Sequence, residues 1–510
     1  MSTYQHWFIS RQKRQLTQIL PALICFNDIC EGEVWSGNTE LQLRFEDELA
    51  NRAITEHGTL RARKTKSGGG GIRTLYTQMK DLGLVFSEDS NKKVHLTLVA
   101  EELVKANITF VDAMRIQLRR LQYPSATRWR GSGAIDPKFK VHPFVFMFRL
   151  LREPRLEGYI TMDEMKLIII HEAITDDNKC FNKVVESILE YRTSGLNSNG
   201  IQDTNTGTYR EIANTFFNYI ELTQYVDRGY ARILVRAGKE EDIDAFIANS
   251  SKFIAHPEVQ ENYQRAYGVG TSTKDLRPFT KKGLNRRELE EKRIKSEYAL
   301  LRLEMPIVSI DKEIVDKIAK RTGINDSTIE SFLTKNFPNG SVDDFFLTYK
   351  DYAYGGNKYA TEFELATVEI FRKIFGMTAK HVGPIGNTPD VFVESDIEQH
   401  CGIIDNKAYV NGYSIIGDHR RRMVDEYIPN VKTYADAKYP LAFFTYISTD
   451  FGKNINEQLK SITDETHVNG SAMPVDLMID FAQDYVTKGY THKNVFDVFS
   501  LNRKISIADI

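Results

Sequence analysis

Apolar residues recur at helical spacing across Leu41–Ala53 (LQLRFEDELANRA), with Leu43 and Leu49 in one stripe. A basic, glycine-rich break follows at Arg61–Gly71 (RARKTKSGGGG). The pattern then predicts a helix over Ile72–Leu82, a turn at Gly83 and a small hairpin, LVF and VHLTL joined by SEDSNKK. A helix around Ala100–Lys105 comes next, and helix, hairpin and helix in that order suit a winged helix. Amphipathic helices are also predicted over Phe110–Leu121, Tyr209–Tyr219 and Asp242–Phe253, with a surface loop around Ser194–Gly207. Thr161 followed three residues later by Glu164 has capping-box spacing and starts a helix running to about His171.

Farther on, Lys281–Met305 mixes basic residues with Glu288, Glu290, Glu291 and Glu297, which reads as a solvated connecting helix rather than a binding patch. The character changes between Pro306 and Gly356. Beyond it, a helix around Glu362–Phe375 precedes two β-rich runs, IIDNKAYV and PLAFFTYIS, separated by a charged helix. Such alternation is α/β. The expected organisation is a mainly helical region at 1–250, in two modules split near 140, a helical linker at 251–345 and an α/β domain at 346–510.

A chain of 510 residues is too long for one core and suggests roughly three domains. With 67 Lys and Arg against 69 Asp and Glu the net charge is -2, which excludes a uniformly basic, histone-like protein but leaves room for local basic faces. The four cysteines are too scattered for a disulfide framework, and Cys25 and Cys30 read as buried or free thiols rather than zinc ligands. The opening MSTYQHWFISRQKRQL lacks the apolar run of a signal peptide, and no stretch of about 20 uncharged apolar residues occurs. A cytoplasmic protein with no membrane partner is expected.

Between Arg61 and Lys80 stand six basic residues and no acid. The run reads either as a solvated loop or as phosphate contact at a helix start, where free N–H groups and the dipole add to the side chains. In the second reading Arg61, Arg63, Lys64 and Lys66 form a flexible arm, while Arg73, Thr74 and Thr77 face the groove of double-stranded DNA. Arginine suits a guanine edge and lysine suits phosphate. A second basic cluster comprises Arg115, Arg119, Arg120, Arg128, Arg130, Lys138 and Lys140. Arg115 and Arg119, four apart, share a helix face and could clamp the DNA backbone.

The stretch with most chemistry is His381–Ile415. Asp390 follows Pro389 and begins VFV; Asp405 ends the apolar run GII fifteen residues later, and Lys407 lies two beyond it. Residues i and i+2 of a strand share a face, so Asp405 and Lys407 point the same way. If the two strands pair, Asp390 comes beside Asp405 and makes an oxygen-rich site for Mg²⁺. An ammonium group next to it can orient the attacking water and offset phosphate charge. A hairpin with a surface Asp and Lys gives the same bare pattern.

The run ELATVEIFRKIFGMTAKHVGPIGNTPD, continued by GIIDNKAYVNGYSI, resembles the cleavage domain of the FokI-type restriction endonucleases, and the resemblance resumes at Phe443–Ile479. It implies that Asp390, Asp405 and Lys407 are the catalytic set of a PD-(D/E)xK nuclease, with Asp390 and Asp405 on Mg²⁺. Glu364 takes the place of the helical acid beside the metal, with Glu369 as the alternative. Over about 1–240, the W-x-G near Trp35, FEDELA, the K-x-x-G-L-V-F turn and RRLQYPS resemble the recognition half of AlwI-like type IIS endonucleases.

Together the resemblances imply a multidomain protein: winged-helix-like DNA-binding modules followed by an α/β PD-(D/E)xK nuclease domain. Such an enzyme binds a short asymmetric DNA site and cuts at a fixed distance, alongside a cognate DNA methyltransferase. The alternatives are a strand-specific nicking enzyme, a subunit of a heteromeric restriction enzyme, or a catalytically silent DNA-binding protein. With one nuclease set in the chain, cutting both strands implies transient self-association. FokI-type domains pair through a helix that here reads GDHRRRMVDEYIP, with Arg421 and Asp425 in the places of the family's acid and arginine.

Overall fold

The computed structural model describes residues 3–510 except 11–15, 53, 55–69, 130–132, 197–198, 202–205, 230, 267, 271–273, 280–282, 384–385 and 410–411. The chain forms two compact units, Met1–Leu300 and Leu301–Ile510. The linker expected at 251–345 is therefore divided between them. The charge-interleaved segment forms the helix Arg286–Glu304, whose Arg286–Glu290 and Arg287–Glu291 pairs lie four residues apart on exposed surface. No described helix is long and apolar enough to cross a membrane.

The first unit is mainly helical. Its helix Ile19–Ile29 buries Ile19, Leu20, Leu23, Ile24 and Phe26. The helix Thr39–Asn51 is capped by the Asn38 side chain, which accepts the Leu41 N–H. The helix Gly70–Asp81 leads into the antiparallel hairpin of β1 (Val85–Ser87) and β2 (Val94–Leu96), and the Thr97-capped helix Leu98–Val104 follows. The order helix, hairpin, helix is as the pattern predicts. The helix begun at Thr161 carries both capping-box bonds and runs, through a wider turn at Met165–Ile169, to Glu172. Cys25 and Cys30 are buried free thiols.

Hydrophobic patterning does not anticipate a second sheet, β3 (Tyr159–Thr161), β4 (Val226–Gly229) and β5 (Arg232–Val235), in the order β3-β5-β4. Strands of three or four residues are too short to display alternation, and β3 finds its partner far along the chain.

The hairpin is fastened by a histidine. His95 on β2 has Nδ1 2.6 Å from Glu31 and Nε2 2.7 Å from Glu88, with its ring stacked at 4.1 Å on Phe279. Both ring nitrogens face carboxylates, so the imidazolium, which donates from each, fits the pocket. Burial pulls its pKa down, but the bonds to Glu31 and Glu88 outweigh that and leave it raised.

In the second unit three helices, Lys312–Thr322, Asp326–Asn336 and Asp343–Ala353, precede Ala360–Glu369, which widens over Ile370–Ile374. The sheet has five strands, β6 (Thr378–His381), β7 (Val391–Ser395), β8 (His400–Lys407), β9 (Leu441–Ser448) and β10 (Asn469–Pro474), in the order β10-β9-β8-β7-β6. Strands β6, β7 and β8 are antiparallel, whereas β8, β9 and β10 are parallel. Both faces are covered, which is why β7 and the middle of β8 read as continuous apolar runs. Val391, Val393, Ile404 and Phe443 enter one core, and Phe392, Ile403 and Phe444 the other.

Two glycines make room within this sheet. The Phe443 ring covers Gly402 on the neighbouring strand, and the Phe444 ring covers Gly470; a Cβ at either glycine would overlap the ring. Gly402→Ala is expected to cost about 1–3 kcal/mol as Phe443 is forced off its rotamer. Phe443→Leu in the same chain should recover part of that loss, read by urea denaturation. In the first unit the His95 contribution is fully present below its unfolded value near 6.5 and is lost as pH rises through the raised folded value. The stability difference between the natural chain and His95→Leu should therefore shrink between pH 6 and pH 9, as followed by thermal unfolding.

Candidate active site

Pro389 ends the loop before β7, and the Thr388 hydroxyl donates to the Val382 carbonyl at 2.8 Å across that loop's base. The backbone of Asp390 is then fully engaged. Its N–H donates to Ile404 O on β8, and its carbonyl accepts the N–H groups of Val382 and Gly383. Its side chain turns toward β8, where Oδ2 accepts the Asn406 N–H at 2.6 Å. The carboxylate thus sits against the backbone between Asp405 and Lys407.

Asp405 is buried, at 3% exposure, and its Oδ2 lies 2.7 Å from Lys407 Nζ. The i, i+2 relation places acid and ammonium on one face, as the strand pattern requires. Asn406 points the other way and donates from Nδ2 to Thr367 Oγ1 at 2.7 Å. Thr367 also donates to Phe363 O within the helix Ala360–Glu369 and meets the Tyr349 hydroxyl at 3.2 Å. The strand of Asp405 and Lys407 is thereby pinned to the helix that carries Glu364.

Glu364 Oε2 lies 2.7 Å from His381 Nε2. A Cβ placed on Gly383 would meet Glu364 Oε2 at 3.4 Å and Asp390 Oδ1 at 3.5 Å, so both carboxylates border the space that this glycine leaves open. Glu369 instead pairs with Arg372 at 2.7 Å. His381 carries no predicted role, because a single histidine gives no spacing signal.

Burial, and after it the charge of Asp405, push the Asp390 carboxyl well above the usual carboxylate range; Lys407 opposes this and Glu364 adds to it. Burial pulls the Lys407 ammonium down, but Asp405 and Asp390 outweigh that and hold it raised. A half-buried carboxylate and a buried one crowd together beside one firmly charged lysine. Among the described residues no group of three or more His, Cys, Asp or Glu is arranged to hold a metal ion. The fit therefore rests on Asp390 and Asp405, hard oxygen donors whose mutual repulsion a divalent cation would relieve.

The other predicted residues are placed differently. Arg421 bonds Asp418 at 3.1 Å and Glu426 at 2.5 Å, and Asp425 is exposed. A one-face pairing of Arg421 with Asp425 presumes an α-helix. Here the α-helix Gly417–Arg421 passes into a wider turn over Arg422–Tyr427, which brings i+5 rather than i+4 to Arg421.

Arg61, Arg63, Lys64 and Lys66 lie outside the described residues. Arg73 is exposed, Thr74 is half-buried, and Thr77 returns its hydroxyl to Arg73 O. Lys80 is bound to Gln260 at 2.5 Å, with burial lowering its pKa to about 8. Arg115 lies over the Tyr225 ring at 4.6 Å and donates to Thr223 O, while Arg119 lies 5.9 Å from the Phe246 ring centre. Arg120 donates to Val269 O and Gly270 O. These three guanidinium groups bind the first unit's own chain, and Arg128 forms a buried pair with Asp81 at 2.6 Å.

Residues 323–506 match the family "FokI, cleavage domain", and residues 33–274 match "Restriction endonuclease BpuJI - N terminal". A FokI-like cleavage region and a BpuJI-like N-terminal region thus stand in one chain, each within one unit. The sequence reading points to AlwI-like enzymes for the N-terminal region; the family that matches there is that of BpuJI.

The type II restriction enzyme StsI of Streptococcus sanguinis is 30% identical over 146 residues, 26% of this chain and 24% of StsI. The chain thus spans about a quarter of that relative's length. A structure of restriction endonuclease FokI is 14% identical with a TM-score of 0.30, over 99% of this chain and 100% of FokI. The BpuJ1 endonuclease binding domain, in complex with pyrene- and phenanthrene-modified DNA, is 14% identical with a TM-score of 0.38, over 53% of this chain and 98% of that domain.

A carboxylate kept beside another at the expense of its own ionisation destabilises the metal-free protein. Asp390→Asn keeps an oxygen for the Asn406 N–H and removes the charge. It should raise the unfolding temperature of the metal-free chain by about 2–4 °C for each kcal/mol relieved. Scanning calorimetry in EDTA measures this.

Proposed function

We propose that the chain is a type IIS restriction endonuclease, which binds a short asymmetric DNA sequence and hydrolyses phosphodiester bonds at a fixed distance from it with Mg²⁺. The observation that supports this reading best is the convergence of Asp390, Asp405 and Lys407 within the region that matches the FokI cleavage domain. Asp390 and Asp405 are the residues that would hold the cation. When bound there, Mg²⁺ would polarise the scissile phosphate and lower the pKa of bound water. Lys407 keeps its proton because two carboxylates face it, so its task is to place positive charge beside the phosphate and orient the nucleophile. Glu364, bordering Asp390, completes the acidic side of the site.

Recognition belongs to the first unit. Its helix, hairpin and helix we read as a winged helix, with Arg73, Thr74 and Thr77 toward the groove and the Arg61–Lys66 arm on phosphates. Arg115, Arg119 and Arg120 contribute by holding that unit together around any DNA contact they make. Cutting of both strands proceeds through transient pairing of two copies along Gly417–Tyr427, with the exposed Asp425 available to a second copy. The enzyme works in the cytoplasm alongside a DNA methyltransferase of the same specificity.

Digestion of a plasmid library in Mg²⁺ followed by sequencing of the ends tests this reading. It predicts cuts at one fixed offset on one side of a recurring short sequence. Ends scattered without a common neighbouring sequence, or no cleavage, would overturn it; nicks confined to one strand would favour the nicking enzyme. Arg73→Ala should relax discrimination at one base pair by about 1–3 kcal/mol, measured by binding to site variants.

A further inference from the structure

We propose that His381 is a positioning residue, which holds Glu364 in place against Asp390 across the opening left by Gly383. The proposal rests on the reading of Asp390 and Asp405 as cation ligands and adds to it a residue outside the acid-acid-lysine set.

Glu364 stands on the helix Ala360–Glu369, one turn from the Thr367 that receives Asn406, so its backbone is fixed relative to β8. A glutamate side chain on a fixed backbone still has three rotatable bonds, and repulsion from Asp390 favours conformers that turn away. The contact that opposes this is with His381 at the end of β6, whose Nε2 lies 2.7 Å from Glu364 Oε2. An imidazole Nε2–H donated to a carboxylate fixes both the tautomer and the carboxylate's direction. Both side chains are about 15% exposed, so water competes weakly for the bond. Gly383, two residues beyond His381, leaves the space that Glu364 Oε2 and Asp390 Oδ1 share. One short segment thus supplies both the donor that aims Glu364 and the gap it is aimed into. His381 acts through Glu364, and Glu364 acts on the cation site beside Asp390.

The test is a double-mutant cycle on the full chain, with Mn²⁺ alone as the probe in isothermal titration calorimetry, and Mg²⁺-dependent plasmid cleavage as a second readout. His381→Ala should weaken Mn²⁺ binding roughly tenfold or more, the usual effect of removing an outer-shell partner. Glu364→Ala should weaken it at least as much, and adding His381→Ala to Glu364→Ala should change nothing further. His381→Gln, which presents an N–H donor at a similar reach, should restore most of the affinity, and thermal unfolding confirms that each variant is folded.

Additive effects of the two alanine variants, unchanged Mn²⁺ affinity in folded His381→Ala, or no rescue by a folded glutamine variant would each overturn the proposal. So would the absence of Mn²⁺ binding by the natural chain. If the natural chain binds Mn²⁺ with the predicted coupling yet cuts no DNA, the nuclease reading falls and the positioning role stands. If it cuts DNA and the coupling is absent, the reverse holds.

Discussion

The bond from the Asn406 backbone N–H to Asp390 Oδ2 is the interaction on which the site depends. It draws the carboxylate just before β7 onto β8 and sets it between Asp405 and Lys407, so that two acids share one small space. Lys407 pairs with Asp405, while burial and the charge of Asp405 leave Asp390 with a raised pKa. The surrounding construction holds the arrangement against its own repulsion. Asp390 has both backbone groups bonded, Asn406 is tied to Thr367, and the strands carrying the acids lie between two cores. Strain of this kind is what a protein tolerates where charge has a use.

The sheet makes that site possible through the double nature of β8. One neighbour, β7, runs antiparallel and is directly preceded by Asp390; the other, β9, runs parallel with Tyr446 and Ser448 in register with Asp405 and Lys407. The Ser448 hydroxyl donates to Lys407 O at 2.7 Å, which fixes the strand where it leaves the sheet. Close approach of these strands is bought by glycine: Gly402 and Gly470 each accept an aromatic ring from the adjacent strand. Rigid strands, rather than loops, thus carry two of the three central side chains.

Features set by local sequence were legible from it. The i, i+2 relation of Asp405 and Lys407, the capping box at Thr161 and the balanced charge of Arg286–Glu304 follow from spacing alone, because each interaction spans few residues. The β3-β5-β4 sheet was not legible, since its partners lie far apart in sequence. For the same reason Arg115, Arg119 and Arg120 read as a basic cluster, although their ring and carbonyl partners begin with Thr223, more than a hundred residues away. The wider turn that follows Arg421 was not legible either, because the sequence pattern there is that of an ideal α-helix. His381 needed the fold, because the chain's return along β6 after the helix Ala360–Glu369 brings it to Glu364.

The central claim is that Asp390, Asp405 and Lys407 form one hydrolytic centre separate from the residues that recognise DNA. Its most direct measurement is plasmid cleavage by purified Asp405→Ala in Mg²⁺, set beside the binding of the same protein to a cleavable DNA site. No cleavage is expected, with binding retained at the affinity of the natural chain. Full cleavage by Asp405→Ala would contradict it.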